Sequence, residues 1–484
     1  MTVPPAAASL IAMLLVHAAD LHLGKTLHER EFVEEQEEML GALVDLLAAR
    51  QPAALLLAGD IYDRAIPSPA AMGLLDRFLS RAVEAAPGTA IVIIPGNHDS
   101  ASRLAFGSGL FRKAGVHLRS RVSESLEPIF LESRGAGGRM ESCAIWALPY
   151  LGAAADLGLG AYDGGAAEVA ADAGSSSGAA MADSPGSPEA GLFARAVARI
   201  AARIAARIAA NLASDGGGGS GGRATDGTGV ESASDSYNVL VAHCFARGGL
   251  TSESERVFVG SAEDVDAALF DGFDYAALGH LHRPQAAGLK GRYSGAPLAY
   301  SFGEALRVGS GGIVETEAGE RGFLLVELEG GGCRVELLPH RPGRRLVRIE
   351  ASFAELLSPG AFAEYREDFV ELCLNDELPV LDPSERLKAV YPKLLSIRQS
   401  AFELRLSGGG SRPAGAVAEG AVAAVGAADE GGGGAAGDGR DPEDPGRLVE
   451  EFAAFHAEMR GETPDEATAG LFRSLVEEAA READ

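Results

Sequence analysis

Cysteine is scarce in this chain of 484 residues: only Cys143, Cys244, Cys333 and Cys373 are present. No two of them are spaced as C-x-x-C, which argues against a cysteine-rich zinc cage or a disulfide scaffold, and reduced thiols in a cytoplasmic protein are expected. Long apolar runs are missing too. None reaches the ~18–20 residues of a membrane span, so no membrane role is expected. The opening MTVPPAAASLIA lacks a basic n-region and a convincing apolar centre, so it does not read as a signal peptide. Residues 1–12 are expected to be a disordered extension, or a misplaced start ahead of Met13. Positive charge is also short, with 42 Lys and Arg against 69 Asp and Glu and a net charge of −27. Taken whole, that balance opposes a nucleic-acid partner. Its distribution weakens the objection, because residues 401–484 carry 7 basic and 18 acidic side chains. Residues 13–150 carry 13 and 17, a deficit that two divalent cations would cancel.

The chain has length for two or three domains. From Met13 to Tyr150 short apolar strands alternate with helical stretches: MLLVH, a helix from Phe32 to Arg50, AALLLAG, a helix near 69–86, then IVIIPG. This is α/β layering. Gly, Ala, Ser and Asp then dominate 152–190, and 214–236 includes DGGGGSGG, so 152–236 reads as a low-complexity insertion. Within it, RAVARIAARIAARIAANL (195–212) sets Ile200, Ile204 and Ile208 on one helical face. Arg195, Arg199, Arg203 and Arg207 fall on another, read as solvated. Strands resume at YNVLVAH (237–243) and DYAALGHLH (274–282), and FLLVELE with CRVELLP suggests a β-hairpin. Residues 345–407 read as a compact α+β unit, 408–446 as a flexible linker, and 447–460 and 465–482 as amphipathic helices.

Polar residues collect just past the apolar strands. Asp20 and His22 follow the first, Asp60 the second, and Asn97, His98 and Asp99 the third. His243 ends a later strand, and His280 and His282 follow another. Each has a bland alternative, since turns favour Asn and Asp and a lone histidine is usually structural. Their joint occurrence at strand ends is the expected placement of an α/β site. Carboxylate, amide and imidazole donors without thiolate suit Mn²⁺ or Fe²⁺ better than structural zinc.

The order D-x-H, G-D-x-x-D, G-N-H-D, a later H, and G-H-x-H resembles the calcineurin-like metallophosphoesterase superfamily. The resemblance implies a layered β-sandwich flanked by helices, here with a small α+β capping domain and C-terminal helices. It implies that Asp20, His22 and His282 hold one cation, that Asn97, His243 and His280 hold another, and that Asp60 bridges them. His98 would act on the scissile phosphate and Asp99 would orient it. An imidazole suits that task because free histidine titrates near neutrality.

HAADLHLGKTL, LAGDIYDRAIPS, IPGNHDSASRL, IWALPY, ALGHLHRPQ and YSGAPLAYSFGE are together similar to the SbcD family of nuclease subunits. That likeness implies two divalent cations, most simply Mn²⁺, and DNA duplex ends and hairpins as substrate. It also implies a homodimer within a heterotetramer with an SbcC-type, SMC-like ATPase that itself binds the ATP. The domains would be 13–339 for the nuclease, 340–407 for the cap, and 447–484 for partner binding beyond the linker 408–446. Leu448, Val449, Phe452 and Phe455 form one apolar stripe and Leu471, Phe472 and Leu475 another, suited to a partner groove. A stand-alone phosphatase on small phosphoesters and a non-catalytic repair scaffold are the alternatives. LGKT (23–26) lacks the first glycine of a P-loop, and His17 is expected to be structural.

Overall fold

In the strand Met13–Ala18 every residue but one is buried, as befits a strand covered on both faces. It lies inside a six-stranded sheet ordered Gly332–Pro339, Gly322–Glu329, Met13–Ala18, Ala54–Ala58, Ala90–Ile94, Val116–Leu118. The last four run parallel, and Gly322–Glu329 pairs antiparallel with Met13–Ala18. A second six-stranded sheet is ordered Gln285–Ala287, Gly291–Tyr293, Tyr275–Gly279, Ser236–His243, Met140–Leu148, Ile129–Arg134. The computed structural model describes residues 13–134, 140–151, 188–215, 236–251, 265–314 and 319–400, with 463–464, 469 and 473. The chain divides into two compact units, 1–409 and 410–484, and both sheets belong to the first.

Side-chain alternation assembles the layers. Leu15, Leu56 and Val92 of the first sheet pack inward against Ile145, Val239, Val241 and Ala277 of the second. Val16, Leu55, Leu57 and Ile93 face outward onto the helices Val33–Arg50 and Pro69–Ala85, through Leu43, Leu47, Leu74 and Phe78. On the far side Trp146, Leu240 and Leu278 are covered by Phe193, Val197, Ile200 and Ile204 of the helix Pro188–Asp215. The result is the expected layered β-sandwich flanked by helices. Among the described residues no helix is long and apolar enough to cross a membrane.

That last helix changes the reading of the segment 152–236 as an insertion. It is longer than 195–212, and its isoleucine stripe caps the second sheet, so it is a layer of the fold. Its arginines are not uniformly solvated either. The Arg207 guanidinium lies 4.8 Å from the Phe130 ring centroid and donates to Ser236 Oγ at 2.8 Å.

A third sheet runs Gly312–Ile313, Leu306–Gly309, Leu346–Ala351, Phe369–Leu374, Leu394–Gln399. Its core of Val347, Ile349, Leu372, Leu387 and Tyr391 includes residues of the helix Pro383–Val390. Leu306–Gly309 pairs in parallel with Leu346–Ala351, so the chain enters this sheet before completing the first. A boundary at 340 therefore cuts through it, because LRVG is too short to stand out as a strand. Phe302, Phe32, Leu346 and Phe369 pack together where the third sheet meets the sandwich. The expected helix 447–460, and all of the expected helix 465–482 but residues 469 and 473, lie outside the described residues, with Leu448, Val449, Phe452, Phe455, Leu471, Phe472 and Leu475 among them.

Candidate metal centre

The singled-out polar residues sit at the C-terminal tips of five strands, where backbone conformation is unusual. Asp20, His22, Asp60 and His280 have φ of 55°, 43°, 49° and 108°. Such conformations cost about 1–3 kcal/mol each in a non-glycine residue and gather at functional sites. Hydrogen bonds between the tips offset the cost. Asp20 N–H donates to Gly59 O at 3.1 Å and His22 N–H to Asp60 O at 3.0 Å. The His280 N–H donates to the Asp20 carboxylate at 2.9 Å. Two glycines are required by close approach. A Cβ on Gly96 would lie 2.1 Å from Asp60 Oδ1, and one on Gly279 would lie 1.9 Å from Ala58 O and 2.8 Å from His243 Nδ1.

The seven expected ligands come together. Donor atoms of Asp20, His22 and His282 lie within 4.8 Å of one another, as do those of Asp20, Asp60 and His243. Asp60 Oδ2 stands between the halves, 3.7 Å from His22 Nε2 and 3.5 Å from His243 Nε2. Asn97 Oδ1 is 2.9 Å from His243 Nε2 and 3.0 Å from His280 Nδ1. Burial lowers the histidines, His22 to about 4 and His280 to about 3, so both are neutral near pH 7. His243 is lowered as well, chiefly by burial. Burial raises Asp60, but His243, His22 and His98 around it hold it well below the usual carboxylate range.

Tautomers test whether a cation fits. His243 Nδ1 lies 2.9 Å from Ala58 O and donates to it, leaving Nε2 with a lone pair directed at the carbonyl oxygen of Asn97. His282 Nδ1 donates to Glu304 Oε1 at 2.9 Å, leaving the ring's lone pair on Nε2, 3.0 Å from His22 Nε2. The His243 lone pair facing the Asn97 carbonyl oxygen is unfavourable on its own and is the arrangement a cation needs. His280 Nε2 is buried without a hydrogen-bond partner among the described residues. Neutral imidazoles and ionised carboxylates are also the protonation states that ligate metal. The clusters therefore fit divalent cations.

His98 lies at the edge of this group, its ring centroid 4.8 Å from that of His22. Its N–H donates to Asp60 Oδ1 at 2.9 Å, and its Nδ1 lies 2.8 Å from the Asp63 carbonyl. Asp99 does not take the orienting role expected of it. Its Oδ2 accepts from the N–H groups of Gly96 at 2.9 Å and Ile61 at 3.0 Å, and its Oδ1 from Tyr62 at 2.9 Å. It ties two loops together, while Asp63 holds the His98 ring. The reason is geometric: a carboxylate one residue along the turn faces the neighbouring backbone.

Burial raises Asp63, yet His22 and Lys25 together bring it down to about 2, and the Lys25 ammonium sits 3.0 Å from Asp63 Oδ1. The LGKT lysine is thus paired with a carboxylate. His17 lies between the sheets, its Nδ1 2.8 Å from Tyr275 Oη, consistent with a structural role. Two residues escaped the sequence reading. Gln36 donates to His22 O at 2.7 Å and accepts from Gly24 N–H at 2.9 Å, which pins the Asp20–Lys25 loop. The other is Glu304, which sits in the quoted YSGAPLAYSFGE. A lone acidic residue in a stretch otherwise destined for burial was the available signal.

Residues 13–145 match the calcineurin-like phosphoesterase family, and 342–420 match the Type 5 capsule protein repressor C-terminal domain. The SbcD subunit of the nuclease SbcCD from Staphylococcus saprophyticus is 25% identical over 397 residues, covering 82% of this chain and 87% of that protein. Strand-tip geometry, donor chemistry and these matches agree: residues 13–145 form a calcineurin-like phosphoesterase domain, in a chain that is similar over most of its length to an SbcD nuclease subunit.

Proposed function

We propose that this chain is the nuclease subunit of an SbcCD-type complex that hydrolyses phosphodiester bonds in DNA. It would act as an ATP-dependent 3′→5′ exonuclease on duplex ends and as an endonuclease on single strands and hairpins. The observation that carries this reading is the convergence of seven donor side chains from five strand tips, in a chain similar to an SbcD nuclease subunit over most of its length. Asp20, His22 and His282 would hold one cation, Asn97, His243 and His280 a second, and Asp60 would be shared. Mn²⁺ suits this oxygen and nitrogen donor set. When bound, the pair supplies Lewis acidity toward the phosphate and a water of lowered pKa.

The chain's own groups do the rest. With Nδ1 held by the Asp63 carbonyl, His98 keeps Nε2 to exchange a proton with a phosphodiester oxygen. Asp99 braces Gly96, Ile61 and Tyr62, which keeps the Asp60 and Asn97 loops in register. The third sheet would form the cap over the DNA, and the segment 447–484 would dock on the ATPase, which binds the ATP. Two copies with two ATPase chains would form the working heterotetramer, acting in the cytoplasm on the nucleoid.

Tagged chain should copurify an SMC-like ATPase, and the pair should cleave hairpin DNA in Mn²⁺ with ATP stimulation. Hydrolysis of small phosphoesters alone, with DNA untouched by the isolated pair, would overturn the nuclease reading.

A further inference from the structure

The turn Phe302–Glu304 carries a carboxylate that is 3% exposed, and a buried charge must be fully partnered to persist. Glu304 Oε1 accepts from His282 Nδ1 at 2.9 Å, while Oε2 accepts from the Tyr300 N–H at 3.0 Å and lies 3.4 Å from an Arg321 guanidinium nitrogen. The same Arg321 donates to the His282 carbonyl at 2.8 Å and to the Ala296 carbonyl at 3.1 Å. His282 is therefore gripped twice, at its ring through Glu304 and at its backbone through Arg321. Phe302, two residues before Glu304, is buried among Leu346 and Phe369, which anchors the turn.

We propose that Glu304 is a positioning residue that fixes the tautomer and orientation of His282, with Arg321 as its counter-ion and second clamp. The inference rests on reading His282 as a metal ligand. An Oε1 that accepts from Nδ1–H forces the lone pair onto Nε2, the nitrogen facing His22. A glutamine cannot reproduce this. Two donors, the Tyr300 N–H and Arg321, claim one oxygen of residue 304, so the amide oxygen of Gln must go there. Its NH₂ then meets His282 Nδ1, and the ring proton shifts to Nε2, where it blocks ligation.

The test is calorimetric titration of full-length protein with Mn²⁺ alone, paired with ¹⁵N NMR of the metal-free histidines. Wild type should show two binding events and an Nδ1–H tautomer at His282. Glu304→Gln should weaken one event by about 10–100-fold, leave the other unchanged, and move the His282 proton to Nε2. Arg321→Lys keeps the charge but cannot reach both carbonyls, and should weaken the same event by up to about 10-fold; it serves if Glu304→Gln does not fold. Both events at wild-type affinity in the variants, with only the melting temperature reduced, would make Glu304 purely structural and overturn the proposal. Absence of two events in wild type would instead refute the two-cation reading beneath it.

Discussion

The first sheet contributes Asp20, Asp60 and Asn97 to the site and only one candidate ligand imidazole, His22, whereas the second contributes nothing but imidazoles, His243, His280 and His282. The candidate carboxylates and the amide thus come from one layer, and three of the four imidazoles from the other. In the proposed assignment neither half is a complete cation site, because Asp20 of one sheet would need His282 of the other and Asn97 would need His243 and His280. The hydrophobic packing of Leu15, Leu56 and Val92 against Ile145, Val239 and Ala277 is what sets the donor distances. The geometry of the candidate site is a product of sandwich packing: the His280 N–H reaches across it to the Asp20 carboxylate, while the Asp20 and Asp60 tips are tied to each other within the first sheet.

The largest way to break this comparison is to remove the residue that stands between the halves. Asp60→Ala should reduce Mn²⁺-dependent cleavage to background and lower bound metal below two ions per chain. Substituting a residue behind a ligand typically costs 10–100-fold, so losing a shared ligand must cost more. Cleavage above a few per cent of wild type, in protein free of contaminating nuclease, would contradict the bridging role.

His98→Asn separates chemistry from metal holding. Cleavage should fall by roughly 10²–10⁴-fold, the usual contribution of a positioned acid or base. Elemental analysis should find metal content unchanged, since none of the seven donors is removed. Loss of a cation would place His98 among the ligands.

Gly96→Ala probes the fit of the halves without touching a ligand. A methyl group 2.1 Å from Asp60 Oδ1 must displace the carboxylate or the turn. Overpacking of this kind costs about 1–3 kcal/mol, to be read by urea unfolding of the metal-free protein, and metal affinity should drop with it. Wild-type stability and affinity together would show that the turn yields freely.

The last effect, confined to acid pH and absent near neutrality, lies between the sheets, away from the seven candidate ligands. Burial lowers His17 to about 3, against 6.5 unfolded. Below pH 6.5 the unfolded chain takes a proton that the folded one refuses. The contribution is therefore complete above 6.5 and is lost as pH falls toward 3, by about 1.4 kcal/mol per pH unit. His17→Gln should flatten the acid-side decline in metal-free stability by up to that slope. An unchanged slope would mean that His17 does not titrate this way.

Much of the site was legible because each donor follows an apolar strand directly, and the glycines beside them mark the close approaches. The strands themselves were readable for the same reason: runs such as AALLLAG and IVIIPG leave little choice. Glu304 was not legible as a partner of His282, since a three-residue turn has no periodicity and the pairing exists only in three dimensions. Asp99 misled because adjacency in the chain suggested adjacency to the His98 ring, whereas its carboxylate closes on the backbone of Gly96, Ile61 and Tyr62. The stripe of Ile200 and Ile204 announced an amphipathic helix, but only the second sheet shows what covers it. Leu306–Gly309 was missed because four residues carry too little pattern to signal a strand that belongs to the next sheet.

The most direct test of the central claim is anomalous diffraction at the manganese edge from crystals soaked in Mn²⁺. Two peaks should appear, on the order of 4 Å apart, one between Asp20, His22 and His282, the other between Asn97, His243 and His280, with Asp60 touching both. A single peak, or two peaks with Asp60 bound to neither or only one, would contradict the account of a shared centre built from two sheets.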